Sequence, residues 1–442
     1  SPDDYLLCYE VANSFNAVSS HVVEDYFALL DDGEGASLQL DKVDIGVGRF
    51  PVTSEAQARA VVDKVEAYMA NSHAGAWKNS ILMLGDDGDD NRHMADAESV
   101  AQMLETEYPD YMVKRIYWDA YPMEVTSTGR SYPVVRKRLL ELFRDGALMV
   151  NYSGHGAPDV ISHELVINKA DMEELRSPRL PVWVTVSCDI TPFDNSVQSF
   201  GESAFLNPQG GAIGLLTSTR TTYAEQNRRI NYFFSKYVFA REGGNRLSLG
   251  DALRMAKCSL ITAPGSSMLD DKSGNKLNYV LIGDPALVVG NSDYRMVVDT
   301  LNGVPVGAGR EVQLKAGAEV VVKGRVLALS DTLASDFSGV LYASVFDNME
   351  QVTCRNNAKV PDLTPFVYRE RTKKLFVGSD SVNRGTFTFT FRVPMDINYS
   401  MDNGLINLYA INDTKEYEAT GRFENFIIGG TDDDMAGDGS GP

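Results

Sequence analysis

The chain has 442 residues, more than one ordinary core organises, so two or three domains are expected. It carries 41 basic against 61 acidic residues, a net charge of −20 with a sequence pI near 4.7, which argues against a nucleic-acid protein with a basic phosphate-binding footprint. No run of 18 apolar residues offers a membrane span.

The first residues, "SPDDYLLCYE", have no basic start and no cleavage site, so no signal peptide is expected here. They begin almost inside a strand-like run, as a fragment of a longer protein would. "KVDIGVGRFPV" (42–52) reads as a strand leading to a turn. "SEAQARAVVDKVEAYMAN" (54–71) reads as a helix with a Ser54–Gln57 capping box and a stripe of Ala58, Val61, Val62, Val65 and Met69. "SILMLGDD" is a strand running into an acidic loop. A helix ("MADAESVAQMLETEY"), a strand ("YMVKRIYWD") and a helix closed by Gly146 ("YPVVRKRLLELFRDG") follow. "ALMVNYSGHG", "LPVWVTVSCD" and "GGAIGLLTST" are strands, with Trp183 a core residue of the second. Helices near 224–240 and 247–261 precede the strand "YVLIGDPALV". Strands alternating with helices, in apolar runs too continuous for one-sided burial, predict a mainly parallel sheet covered on both faces.

After about residue 292 the pattern becomes all-β. "EVQLKAGAEVVVKGRVLAL", "GVLYASVFD", "TFTFTFRVP", "GLINLYAIND" and "YEATGRFENFIIGG" predict an immunoglobulin-like sandwich over 293–430. The last stretch, 431–442, is small and acidic and reads as a flexible tail. The divisions expected are therefore an N-terminal α/β subdomain (1–72), a catalytic subdomain (73–292), the β domain and the tail.

Two strand ends stand out. "NYSGHG" delivers His155, and 33 positions later "VWVTVSC" delivers Cys188. Ligands of parallel sheets bind beyond the carboxyl ends of strands, where both residues fall. A thiol becomes a strong nucleophile when an imidazole takes its proton. The acyl oxyanion then needs fixed donors, for which the amides of Gly156 and Cys188 are candidates. A lone cysteine is ordinarily a small core hydrophobe, the reading given to Cys8, Cys258 and Cys354. None of the four cysteines stands in a CxxC pair, so no zinc knuckle is expected; their even number leaves a disulfide open, although a chain of this size needs none.

These motifs resemble the gingipain-type cysteine peptidases, relatives of the caspases. "DIGVGRFPV" (44–52), "QSFGESAFLNPQGGAIGLLTSTR" (198–220) and "LIGDPAL" (281–287) are similar to further landmarks of that family. The resemblance implies a caspase-like α/β/α fold with His155 as base and Cys188 as nucleophile. It implies an acid that orients the histidine, placed at Asp86 within "DDGDD". It places the substrate pocket near His93, with His163 and Glu164 as lining candidates, although no acid matching an Arg- or Lys-reading pocket is identified there. No cofactor is required and no metal-ligand set is identified, while the acidic loops leave room for calcium.

"SCDITPFDNSVQSFGE" favours the family's sortase branch. That branch implies a peripheral enzyme on the extracellular face of the bacterial outer membrane. It would cut the C-terminal secretion signal from cargo proteins and pass them to an amine of anionic lipopolysaccharide, alongside outer-membrane attachment-complex proteins. The rival readings are a degradative peptidase and a binding scaffold with an idle dyad.

Overall fold

The computed structural model describes residues 7–11, 16–127, 129–262, 274–290, 292–307, 312–398 and 400–431. The expected tail, 431–442, lies outside them except for Thr431.

Six strands form the central sheet: β1 (Ser80–Gly85), β2 (Met112–Tyr117), β3 (Met149–Ser153), β4 (Val182–Val186), β5 (Gly214–Ser218) and β6 (Tyr279–Gly283). Their order is β6-β5-β4-β3-β1-β2; all pairings are parallel except β6 with β5. Because side chains alternate across a strand, successive residues of β1 enter opposite cores. Ile81 and Met83 join Met94, Val100, Ile230, Phe234 and Leu253 on one face. Leu82 and Leu84 join Leu139, Phe143, Trp183, Phe200 and Phe205 on the other.

The first core is covered by α2 (Arg92–Glu107), α6 (Ala224–Tyr237) and α7 (Leu249–Thr262). The second is covered by α3 (Pro133–Asp145), α4 (Lys169–Glu174) and α5 (Phe200–Leu206). Asn151, a polar side chain on the first-core face of β3, exchanges amide hydrogen bonds with Asn231 of α6 (2.6 and 2.9 Å) and donates to Ser235 Oγ. This is the α/β/α sandwich the alternation predicts.

Three expectations change. Residues 42–52 form no ladder. They run beside β6 with a single parallel bridge, Arg49 to Ile282, because Gly46 and Gly48 press their backbones onto Gly250 and Gly283. Helix α1 (Glu55–Met69) is capped by Ser54, whose Oγ accepts from Gln57 N (3.2 Å), but the Gln57 side chain accepts from Thr53 N (2.8 Å) and not from the cap residue itself. Its buried face is Val61, Lys64, Val65 and Tyr68, whereas Val62 and Met69 are exposed. Lys64 turns inward because its Nζ finds the carbonyls of Phe205, Asn207 and Gly210 at 2.7–3.1 Å. Third, Val61 and Val65 enter the two cores of the central sheet, so residue 72 does not divide two separate cores.

The C-terminal region is all-β. Its long strands are β7 (Tyr294–Leu301), β8 (Val312–Ala316), β9 (Glu319–Ala328), β10 (Gly339–Phe346), β11 (Lys374–Asn383), β12 (Thr386–Arg392), β13 (Leu405–Asn412), β14 (Glu418–Phe423) and β15 (Phe426–Thr431). Seven of them pair in the order β7-β9-β12-β11-β10-β13-β14. β14 meets β7 again through two residue pairs, which gives a barrel-like closure of the expected sandwich. Alternation in β12, with Phe387, Phe389 and Phe391 buried and the threonines exposed, fills its core.

This region is fastened to the α/β half by polar and aromatic contacts. Lys78 pairs with Glu418 (2.5 Å), and Asn79 donates to Asn407 (2.9 Å). A hairpin of Glu350–Thr353 and Val367–Glu370 covers the outer strand β2: Glu370 accepts from Arg115 N (2.9 Å), and Tyr368 meets the Tyr117 ring edge-on at 4.8 Å. Among the described residues no helix is long and apolar enough to cross a membrane.

Candidate active site

Strand register brings the two singled-out residues together. Gly85 of β1 and Val186 of β4 both pair with Ser153 of β3, so three strands end in line. His155 leaves two residues past the end of β3, and Cys188 two past the end of β4. Gly156 presses against the cysteine loop; a Cβ there would stand 2.5 Å from Ser187 Oγ.

The backbone of the histidine turn is held from below. Asp86, buried at the end of β1, accepts from His155 N (3.0 Å) and from Tyr152 OH (3.3 Å). Burial raises its carboxyl well above the ordinary range, reinforced by Glu164 and opposed by the His155 amide. Asp86 therefore grips the main chain of His155, not its ring, contrary to the orienting role expected for it. The carboxylate at the ring is Asp89, whose Oδ1 lies 3.7 Å from His155 Nε2. It arrives there through consecutive left-handed residues, Asp89, Asp90 and Asn91, types that tolerate this conformation. Gly88 lies flat against the imidazole; a Cβ at that position would be 2.9–3.0 Å from His155 Cδ2 and Nε2.

Two further histidines, His93 and His163, surround this ring. His163 stacks on it (centroids 4.2 Å, 11° between planes), and His93 meets it edge-on at 4.9 Å. Burial lowers the pKa of His155, with His163 adding to the effect and Asp89 opposing it. His93 is pushed down to about 4, by burial first and by His155 next. Both rings are neutral at pH 7, and a neutral imidazole has the lone pair a general base requires.

On the cysteine side, Cys188 Sγ points to Thr222 O (3.2 Å) and makes no hydrogen bond to His155. The loop under it is braced by Ser187 O, which accepts from Ser218 Oγ (2.6 Å) and Thr222 Oγ1 (3.0 Å), and by Asp189 N, which donates to Arg220 O (3.1 Å). The Cys188 amide has no hydrogen-bond partner among the described residues. Ser162 N donates to His155 O (2.8 Å), which makes Gly156 and Ile161 the non-exchanging pair of their antiparallel ladder and leaves the Gly156 amide out of it. The amides of Gly156 and Cys188 are thus both left outside the backbone ladders, as the oxyanion role expected of them requires.

Next to His163 and Glu164 opens a cavity of about 220 Å³. Asp87, Asp89, Asp90, Asp119 and Glu164 line it, with Arg130 the single cation. Its other wall belongs to the β domain: Asn356, Ala358, Val360 and Leu363. Asp119, 3% exposed, accepts the backbone amides of Asn356 and Asn357 (2.7 Å each), and its own carbonyl accepts from Arg355 N (2.9 Å). Asn91 Nδ2 donates to Thr364 O (3.0 Å) at the far end of the same loop. The sequence held no sign of this wall, which comes from about 190 to 275 residues downstream of the acids it faces. Asp89 was within reach, as a member of the acidic run already noted.

Two all-carboxylate groups, Asp86–Asp87–Glu164 and Asp31–Glu34–Asp44, bring oxygens within 4.8 Å of one another. Calcium takes six to eight oxygens. These carboxylates already serve neighbours: Asp44 accepts from Leu30 N, Glu34 from Asp31 N, Asp86 from His155 N and Asp87 from Tyr132 OH. Neither group fits as a ready calcium cage.

Comparison with known proteins now adds a family. No curated protein matches the sequence. Among solved structures, the Arg-specific cysteine proteinase gingipain R is similar at 13% identity, covering 92% of this chain and 79% of that one, with a TM-score of 0.50. The complex of pro- and mature domains of RgpB from Porphyromonas gingivalis gives 14% identity, 92% and 81% coverage and a TM-score of 0.48. Dimeric latent PorU from the same organism gives 22% identity over 98% of this chain, with a TM-score of 0.36; the chain spans about a third (34%) of its length. The likeness to gingipain R concerns the fold. The model of peptidase family C25 matches residues 3–290, nearly all of the α/β half, and the chain therefore belongs to peptidase family C25, the gingipain family of cysteine peptidases.

Proposed function

We propose that this chain is a cysteine endopeptidase that uses His155 as base and Cys188 as nucleophile. The observation that carries this is that two adjacent parallel strands end in register, with His155 and Cys188 each two residues beyond, and that the amides of Gly156 and Cys188 stay outside the backbone ladders. The thiol turns from Thr222 O to the imidazole and gives it the proton. Sγ attacks the scissile carbonyl, and the amides of Gly156 and Cys188 hold the oxyanion. As the C–N bond breaks, His155 returns the proton to the leaving amine and a thioester remains. Asp89, beside the ring, stabilises the imidazolium that forms. Nothing in this sequence of steps calls for a cofactor.

The finer reading is a sortase. Cleavage would remove the C-terminal secretion signal of a cargo protein, and an amine of anionic lipopolysaccharide would resolve the thioester. The enzyme would act peripherally on the outer-membrane surface beside attachment-complex partners. The "SCDITPFDNSVQSFGE" stretch around the nucleophile supports this branch. An amine outcompetes water only where the site holds it at high effective concentration. A second reading, a degradative peptidase, has its own support: the acid-lined cavity suits a cationic side chain at the cut, where the sequence alone identified no acid.

The test is intact-mass analysis of a cargo C-terminus incubated with enzyme and an amine acceptor. Release of the signal with amine adduct supports the sortase. Release with water alone, plus turnover of short Arg or Lys peptides, supports degradation. Wild-type cleavage by Cys188→Ala would overturn the mechanism, and a Cys188 no more reactive than Cys258 towards an acyl probe would favour an idle scaffold.

A further inference from the structure

Resting on the endopeptidase reading for its consequence though not for the site itself, we propose that Asp89, His93 and His155 form a binding site for a divalent transition-metal ion of the zinc type, and that its occupancy switches the peptidase off.

The geometry is nearly assembled. Asp89 Oδ2 lies 3.4 Å from His93 Nε2, and Asp89 Oδ1 lies 3.7 Å from His155 Nε2. Ligand atoms from all three residues fall within 4.8 Å of one another. Two ligands of a tetrahedral zinc with bonds of 2.0–2.1 Å stand about 3.3 Å apart, so small side-chain rotations complete the set. The donor types choose the metal: two imidazoles and one carboxylate suit zinc and its neighbours, not calcium or magnesium, which prefer oxygen.

An independent feature points to a missing partner. The His93 side chain is 8% exposed, and its Nε2 has no hydrogen-bond partner among the described residues. A buried polar atom left unpaired is costly, and a metal bond would satisfy it. Gly88 keeps the approach to the His155 ring clear, since it contributes no side chain beside Cδ2 and Nε2.

The consequence for the reaction follows from one lone pair. A neutral imidazole has a single basic nitrogen, and its other nitrogen carries the proton. A metal bound to His155 takes that lone pair, so no nitrogen of the ring remains to accept the Cys188 proton. The site differs from a simple Cys–His metal trap, because Cys188 Sγ is directed at Thr222 O and is not among the ligands.

The experiment titrates the chelator-stripped chain with zinc by calorimetry, with X-ray absorption to read the ligand atoms. One ion per chain, with nitrogen and oxygen neighbours and no sulfur, is expected for the wild type and equally for Cys188→Ala. His93→Ala and Asp89→Asn are each expected to weaken binding by at least about tenfold, as loss of a zinc contact does. Asp89 is half-exposed, so its variant keeps the test informative if His93→Ala fails to fold. Zinc is expected to stop peptide cleavage by the wild type, reversibly on chelation, with the midpoint moved by the same factor in Asp89→Asn. Absent zinc binding, binding untouched in both ligand variants, or binding lost in Cys188→Ala would overturn the proposal. A chain that binds zinc in this pattern but cleaves nothing when metal-free would sink the endopeptidase reading and leave the metal site standing.

Discussion

Removing the Asp119 carboxylate tests whether the β domain is part of the substrate site. That carboxylate accepts two backbone amides of the loop that walls the acidic cavity, at 2.7 Å each. In Asp119→Ala both donors lose their partner at a part-buried position. A buried unpaired donor costs about 1–3 kcal/mol, so the two together cost about 2–3 kcal/mol where water partly replaces the acceptor. Local opening of the loop then rises by about 30- to 150-fold, at 1.4 kcal/mol per factor of ten. Hydrogen exchange of the Asn356 and Asn357 amides is the assay, paired with steady-state cleavage of a short peptide bearing arginine at the cut. We expect faster exchange by that factor and a loss of kcat/KM mainly through KM, since the chemistry at His155 and Cys188 is untouched. Unchanged exchange would refute the anchoring argument. Faster exchange with an unchanged KM would show that the loop is no wall of the substrate site.

Other outcomes test the remaining parts of the site. Gly88→Ala drives a methyl into the His155 ring and should lower kcat by about 100-fold with little change in melting temperature, the cost of an ångström-scale displacement of a catalytic group; near-normal kcat would contradict the contact. Asp86→Asn retains an acceptor for His155 N and should keep activity, whereas Asp86→Ala should lose about 1–3 kcal/mol of stability and activity with it. A collapse of kcat in Asp86→Asn would restore Asp86 as the acid that orients the ring.

Burial raises Glu370 from 4.5 to about 7 against the opposition of Arg115 and Lys114, with Glu105 adding to the rise. The folded state therefore holds that proton more tightly than the unfolded chain, and stability falls as pH rises from 4.5 to 7, by about 3 kcal/mol at most. Glu370→Gln should melt higher than wild type at pH 8 and match it near pH 4.5; a wild type more stable than the variant at pH 8 would reverse the argument.

What could be read in advance follows from locality. The β1 to β6 strands, helices α1, α2, α3, α6 and α7, and the change to β structure near residue 292 are written in continuous apolar runs, 3.6-residue stripes and alternation, which sequence carries directly, whereas the short α4 and α5 were not read. His155 and Cys188 were legible because each is the polar end of an apolar strand. The 42–52 segment misled for the opposite reason: its alternation is real, but two glycines let it lie flat on a neighbour's backbone without a ladder. In α1, Lys64 took an inward position that apolar periodicity would give to a hydrophobe, because three carbonyls of a distant turn await it.

The acid at the imidazole illustrates the limit. Asp86, Asp87, Asp89 and Asp90 are equivalent as sequence, four aspartates within five residues of one loop. Only the end of β1 and the left-handed turn after Gly88 decide that Asp86 grips a backbone amide while Asp89 reaches the ring. The β-domain wall of the acidic cavity lies still further from what sequence can say. Sequence alone determined the parallel sheet, the second all-β region and the two residues at its strand ends, since each depends on neighbours a few positions away. Tertiary structure decided which carboxylate faces His155, that His93 joins it, and that residues 356–363 wall the acidic cavity, because those contacts are set by how separately formed elements stack.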